Sequence, residues 1–539
     1  NLFSIMTESS TSSTANGEQA GLVQAASKYL DLNNNGTKTA LIIAGGISLG
    51  TLLYKAYNAL PSPHSSVPTA PDMHPLLGHA PFFQKNWDRT HDAIFELIRD
   101  HEILALQLPD FHEILLNTPK LVEWVFTTEF NKFYKGSSQN EKFCDLFGKY
   151  GEGIFVADGH EWRFHRKIGS RMFSVRNLRD YMYSCCVRTT NKTMNILEKL
   201  RSEKQEIDIN DILGRMTFDC FTSIAFGQSF DSMSLYPAIH PFGQSFDLLV
   251  NLMVKRLSDP FWKIKRALNV QYEYEINENL KVIDKFCNEL ITEKKKSAAQ
   301  NITDETGHKT YDLFSLYYEH NKELSNHQMK YIALNFIIAG RDTTRMLTSW
   351  LLYDLCQFDE VKKNVIAEID EYNASKKSID YVAATREFKY LEAALCETLR
   401  YHPVVPFSFR EAKEDVVIPQ HVCRPPNGGN YVIKKGDRLG VHQFTVSKLE
   451  AFYKEPMKYD PMRFYEKGVR TFNHSTYPFF NQSPRLCLGR DFALMEAKIF
   501  LYHFLTKYSF EMVPNQKMEY SPGIIFNMKN GMKITLKQR

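Results

Sequence analysis

The stretch FNQSPRLCLG, Phe480 to Gly489, sets a cysteine two residues after an arginine and two before a glycine. The run that follows, RDFALMEAKIFLYHFL, has apolar residues at Phe492, Met495, Ile499 and Phe500, which is helical spacing. Cys487 therefore stands just before a helix N-terminus, where backbone N–H groups and the positive helix end favour a thiolate. Arg485 adds a permanent positive charge, and Gly489 allows a tight turn and leaves room beside the sulfur. A thiolate in this setting is a nucleophile or a metal ligand, and the loop alone does not choose. No obvious His base lies close to it in sequence.

Four further clusters could do chemistry or support it. AGRDTT, Ala339 to Thr344, sits within an apolar helical run. ETLR, Glu397 to Arg400, lies on another helix, and PMRF brings Arg463. WRFHR places Trp162 and Arg166 at i and i+4 on one helical face. Taken singly these are weak signals, since a Glu–x–x–Arg pair is also what a solvated helix carries.

The elements that must position these residues are mostly helices. HDAIFELIRD, RTTNKTMNILEKLRSE, NLKVIDKFCNELITEKKKS, HQMKYIALNFIIAG, TSWLLYDLCQF and LEAALCETLR carry apolar residues at three- and four-residue spacing. Strand-like runs are fewer: ILALQL, HEILLN, YVIKKGDRLGV and GMKITL. The expected fold class is mainly α with small β-sheets. The 539 residues are 43% hydrophobic and 24% charged, a globular composition with no internal repeat. A net charge of +4, with no Lys/Arg run interleaved with aromatics, excludes a nucleic-acid binder. Nine cysteines, an odd number with no CxxC pair, exclude a disulfide scaffold and a zinc ribbon.

Residues 1–38 are rich in Ser, Thr, Asn and Gly and read as a disordered tail. No charge occurs from Thr39 to Tyr54, and Lys55 can snorkel, so 39–60 reads as a single-pass membrane anchor. Five prolines between Pro61 and Pro75 make residues 61–80 a stiff hinge. Residues 81–539 form one large domain behind it.

FNQSPRLCLGRDFA resembles the haem-binding loop of the cytochrome P450 family: Phe, two residues, Gly, one residue, Arg, one residue, Cys, one residue, Gly. Phe480, Arg485, Cys487 and Gly489 match in spacing, while Ser483 stands where the family has a glycine in a tight bulge. Some backbone strain is therefore expected at Ser483. The other clusters occur in the family's order: WRFHR, AGRDTT, ETLR, PMRF and then the cysteine loop.

The resemblance implies a single haem domain with haem b as cofactor and Cys487 as axial ligand to its iron. It implies that Phe480 shields the sulfur and that Trp162, Arg166, Arg410 and Arg485 hold the haem propionates. On the long helix, the Thr343 hydroxyl is expected to compete for the Ala339 carbonyl. Ala339 and Gly340 would leave room over the iron, and Asp342 and Thr343 would relay protons there as O2 is reduced. Glu397, Arg400 and Arg463 match a buried structural charge triad. Nothing in the sequence accounts for Arg345.

The expected reaction is insertion of one oxygen atom from O2 into a C–H bond of a lipophilic substrate. TFDCFTSIAFG, DPFWKIKRALN and Arg341 are similar to the fungal and plant branch acting on long-chain fatty acids and alkanes, so terminal hydroxylation of such a chain is the leading reading. Apolar pocket candidates are Phe336, Ile337, Val404, Val405, Phe407, Ile524, Ile525 and Phe526. The alternatives are a haem-thiolate hydroperoxide isomerase or dehydratase, a sterol or terpene hydroxylase, and a haem-binding sensor. With no flavin, nicotinamide or iron–sulfur motif, electrons must come from elsewhere, and the resemblance implies a separate NADPH–cytochrome P450 reductase. Arg163, Lys167, Arg171, Arg490 and Lys498 are candidates for its docking patch. The anchor implies the endoplasmic reticulum membrane, with the catalytic domain in the cytosol.

Overall fold

A computed structural model describes residues 66–539, apart from 76, 109–110, 137–140, 150–151, 260, 300–311, 376–377 and 467–472. The tail, the anchor and the start of the hinge lie outside the described residues. Among those described, no helix is long and apolar enough to cross a membrane.

The helices that build the site are α1 (Thr90–Ile98), α2 (Gly159–Met172), α3 (Tyr183–Ser202), α4 (Ile209–Phe226), α5 (Pro241–Ser258), α6 (Tyr272–Ala299), α7 (Asn326–Gln357), α8 (Lys389–Tyr401) and α9 (Arg490–Lys507). The mainly helical expectation holds. Helix α7 spans 32 residues, about 48 Å at 1.5 Å per residue. It begins in a capping box, with the Ser325 hydroxyl accepting from the Gln328 amide and the Gln328 side chain accepting from the Ser325 amide. It is buried on nearly every side from Met329 to Leu355, packing on α4, α8 and α9. Helix α4 is capped by the Asp208 carboxylate and ends where Gly227 adopts a left-handed φ of 66°. Helix α9 is buried almost all round from Phe492 to Leu505, so α7 and α9 together form the centre of the main core.

The strands form a five-stranded sheet from β1 (Ile103–Leu108), β2 (Phe111–Leu116), β3 (Phe133–Tyr134), β4 (Phe407–Ala412) and β5 (Arg438–His442). Their order is β1-β2-β5-β4-β3, antiparallel except for the β2–β5 pair. Residues 66–80, expected as part of a free hinge, instead run along this sheet. The Ala70 amide donates to the Ala105 carbonyl, the Ala105 amide donates to the Pro68 carbonyl, and Val67 and Ala70 are buried.

Helix α1 is fastened to β5 by two buried imidazoles. His91 Nδ1 and His442 Nε2 lie 3.0 Å apart, and His442 Nδ1 is 2.7 Å from the Thr445 hydroxyl. Burial and the Lys448 charge depress His91 to about 3, and burial, His91 and Lys448 depress His442 well below its usual range. Between pH 6.5 and 3 the unfolded chain therefore binds protons that the native His91 does not, and stability falls as pH falls through that window. From pH 7 to 5, His91→Gln should lose about 2 kcal/mol less stability than the parent. Thermal unfolding midpoints at the two pH values check this, and equal acid sensitivity in both proteins refutes it.

Candidate active site

The cysteine loop, α2, α7, β4 and the segment Pro522–Ile525 enclose one cavity of about 550 Å³. Cys487 is the one exposed cysteine of the nine, and it lines that cavity. The loop is closed by the Cys487 amide donating to the Phe480 carbonyl at 2.8 Å. Its exposed surface faces the cavity, and the protein enclosing that cavity pushes the Cys487 thiol up, while the Gly489 and Arg490 amides and the Arg166 charge pull it down. The balance is upward, against the lowered value expected from the helix start alone.

Two conformational expectations change. Ser483 does not have a positive φ. The positive-φ residue of the loop is Asn481, at φ 62° and ψ −168°, a conformation that residues other than glycine rarely take, so the strain of the loop sits there. Gly489 has a φ of −89°, and a Cβ there would only touch Phe173 at 3.6 Å. The protein backbone does not require that glycine, so only a ligand lying beside the sulfur would.

Around the cysteine end, cations outnumber carboxylates. Arg166 donates to the Leu486 carbonyl and lines the cavity with Trp162. Arg485 donates to the Ala157 carbonyl at 2.8 Å, pairs with Asp158 and lies 4.6 Å from the Trp162 ring centroid. Arg410 is fully buried over Phe126. Its Nη1 donates to the Phe409 carbonyl at 2.8 Å, and its Nε and Nη2 have no partner. Burial, then the charge of Arg485, lowers Arg410 to about 9. Arg410 stands behind the cavity wall, whereas Lys135 lines it, and burial, Arg410 and Arg485 push Lys135 well below its usual value. Sequence reasoning missed Lys135, whose only signal is its place after the aromatic pair Phe133–Tyr134.

On α7, the Thr343 hydroxyl donates to the Ala339 carbonyl, as expected, yet the helix runs unbroken through that turn. Ala339, Gly340 and Thr343 line the cavity; Asp342 does not. The space at Gly340 is not free. A Cβ there would lie 2.0 Å from a Phe221 ring carbon, so the glycine admits the Phe221 ring. Arg341 pairs through both terminal nitrogens with Asp247 of α5, and one of these nitrogens lies 3.4 Å from Asp342. Burial raises Asp342, with Arg341 opposing, whereas Arg341 holds Asp247 below its usual value despite burial. Arg345, unexplained by sequence, donates from Nε to Asn210 Oδ1 at 3.0 Å, and a terminal nitrogen lies 4.0 Å from Asp342.

Among the apolar candidates, Phe336, Val404, Val405, Phe407, Ile524 and Ile525 line the cavity. Ile337 and Phe526 do not. Phe526 is core, 5.5 Å from Trp350 and 4.7 Å from Tyr520 between ring centroids. Missed wall residues include Phe143, Phe147, Phe155, Phe221 and Leu257.

Away from the wall, Glu397 receives Arg400 at 2.7 and 2.8 Å, and Arg463 Nε lies 3.6 Å from it. Of the proposed docking cations, Lys498 is buried and bound to Glu392 at 2.7 Å, so it belongs to no surface patch. Arg163, Lys167 and Arg171 are exposed.

A thiol facing a cavity, a helix start behind it and a surplus of buried cations suit a planar metal cofactor with two carboxylates. The unpaired Nε and Nη2 of Arg410 are the donors such carboxylates would satisfy. These features define a haem-thiolate protein. The family model described as Cytochrome P450 matches residues 68–535. Cytochrome P450 704B1 of Arabidopsis thaliana is 26% identical over 87% of this chain and 95% of its own. Cytochrome P450 86B1 of the same plant is 31% identical over 78% of this chain and 76% of its own. Cytochrome P450 94A1 of Vicia sativa is 26% identical over 88% and 92%. The crystal structure of the cytochrome P450DA heme domain superposes with a TM-score of 0.73 at 22% identity, covering 88% of this chain and 98% of that one.

The chain belongs to the cytochrome P450 family. It is a haem-dependent monooxygenase of lipophilic substrates that uses O2 and electrons from a redox partner.

Arg410→Leu removes a buried charge that only an anion could satisfy. Its expected outcome is protein that folds with reduced haem content, read as the haem-to-protein absorbance ratio. Full haem retention refutes the assignment of Arg410 to the propionates.

Proposed function

We propose that Cys487 is the axial ligand, that Trp162, Arg166, Arg410, Arg485 and Lys135 hold the propionates, and that the substrate is a long-chain fatty acid or alkane hydroxylated at or near its terminus. The carrying observation is the division of charge along the cavity. Its lining cations are Lys135, Arg166 and Arg485, which gather at the Cys487 end. Elsewhere the wall is largely aromatic and aliphatic. Its titratable members there are Glu113, paired with Arg438 at 2.8 Å, and the depressed imidazoles of His91 and His442. A carboxylate finds no free cation along this stretch, so a fatty acid enters alkyl end first and leaves its head toward the mouth.

Haem bound through a thiolate supplies the oxygen-activating chemistry, since the sulfur pushes electron density to the iron and favours O–O cleavage. This chain's part is to position and protonate. Phe480 covers the sulfur side, and its carbonyl fixes the loop through the Cys487 amide. Phe336, Val404, Val405 and Ile525 exclude water and hold the alkyl chain. Because the Thr343 hydrogen is engaged by the Ala339 carbonyl, the hydroxyl oxygen presents lone pairs to the cavity. There it can hold a water or another proton carrier. Asp342, whose carboxyl burial shifts upward, is the acid behind it.

Electrons come from NADPH–cytochrome P450 reductase docked on the cysteine side, where Arg163, Lys167 and Arg171 are exposed. The apolar segment 39–60 supports single-pass attachment to the endoplasmic reticulum membrane, with the body in the cytosol.

The reduced, CO-treated protein should show the Soret band of a thiolate-ligated haem, and Cys487→Ala should abolish it. Thr343→Ala should keep the band but yield several-fold less product per NADPH consumed. Unchanged coupling in that variant defeats the relay. With reductase, NADPH and fatty acids from lauric to oleic, mass spectrometry should find hydroxy acids oxidised at or next to the terminal carbon. No hydroxy acid across the series, from protein with a normal CO spectrum, defeats the substrate assignment alone.

A further inference from the structure

Three helices converge on a buried polar cluster that the oxygenase reaction does not use. Cys186 of α3 and Cys220 of α4 are fully buried, with their sulfurs 3.6 Å apart. Glu496 of α9 is 1% exposed, and one ligand atom from each of the three lies within 4.8 Å of the others. Neither carboxyl oxygen of Glu496 is in a well-formed hydrogen bond, and the groups near enough to donate to it are the Cys220 thiol and the Thr344 hydroxyl of α7.

Ordinary core cysteines act as small hydrophobes and need no acid beside them. A buried carboxyl with no charged partner is costly. The donor set is two sulfurs and one carboxyl oxygen, with a hydroxyl at hand as a fourth. Sulfur ligands exclude magnesium and calcium, and tetrahedral S and O donors suit zinc. Two thiolates on zinc, each at about 2.3 Å in tetrahedral geometry, stand about 3.8 Å apart, close to the observed separation.

We propose that Cys186, Cys220 and Glu496 form a structural zinc site joining α3, α4 and α9. Zinc displaces one proton from each thiol and one from Glu496, so two thiolates and a carboxylate bind it, and the one net negative charge left can accept a hydrogen bond from the Thr344 hydroxyl. The metal loads as the chain folds, because the native site has no opening to solvent. It stiffens the start of α9, the helix that follows Cys487, against the two helices behind it.

The test uses the full haem-loaded protein, produced with zinc in the medium and dialysed against EDTA. Elemental analysis should find about one zinc per haem, and X-ray absorption at the zinc edge should show two sulfur neighbours at about 2.3 Å. The double variant Cys186→Ala/Cys220→Ala should hold at least about tenfold less zinc while keeping the CO spectrum. Zinc-free parent protein, zinc without sulfur neighbours, or full zinc content in the double variant each overturns the proposal. The absorption spectrum of the parent decides the matter even if the double variant fails to fold.

Discussion

Beneath the cavity lies more positive charge than the protein can neutralise. Lys135, Arg410 and Arg485 gather there with Asp158 as the carboxylate among them, and Arg410 keeps two donors unsatisfied in a fully buried position. Burying an unpaired ion costs several kcal/mol even after relaxation. Such an arrangement calls for an anion, and the haem carboxylates proposed above supply one. The cations come from three places, namely the residue after β3, β4 and the cysteine loop, some 350 residues apart in the chain.

The thiol needs a rigid floor to face that cofactor, and its rigidity comes from outside the cavity. Arg400 ties α8 to the segment behind the loop, donating to Glu397 and to the carbonyls of Ser447, Pro456 and Lys458. Glu397 in turn accepts from the Asp460 amide at 2.6 Å. Tyr477 then carries the connection to the loop by donating to the Cys396 carbonyl at 2.9 Å. On the opposite wall, the Phe526 amide donates to the Val404 carbonyl, and the Trp350 indole donates to the Phe526 carbonyl. This explains why Phe526 is held in place without facing the cavity.

Much of this was legible in the sequence, for a physical reason. The cysteine loop, α2 and α7 carry their information in local spacing, so Cys487, Arg485, Trp162 and Arg166 could be singled out once that spacing was matched to the family's motifs. Positions fixed by long-range contact were not legible. Lys135 gains its meaning from Arg410 and Arg485, hundreds of residues later. Gly340 reads as room for a ligand until the Phe221 ring is found filling it. Ser483 reads as strained because a glycine is expected there, but the chain places its positive φ at Asn481 instead. Lys498 looks like surface charge by composition, yet α9 is buried on nearly all sides, and Glu392 supplies its counter-ion. The surface reading of a lysine fails wherever a helix has no solvent face.

The proposed proton relay turns on how one cation is shared between two acids. Arg341, a buried guanidinium, faces the buried Asp342 and the partly exposed Asp247. Asp247 takes it through two parallel hydrogen bonds, the stronger arrangement, and stays ionised. Asp342 is left with a single contact at 3.4 Å and a more distant Arg345, too little to offset its burial. The two carboxyls are therefore pulled apart, Asp247 downward and Asp342 upward. Asp342 is also the neighbour of Thr343, whose oxygen lies in the cavity wall with its own hydrogen turned away toward Ala339. How Arg341 divides its charge, and not the cavity lining, sets which of the two carboxyls is shifted toward its acid form.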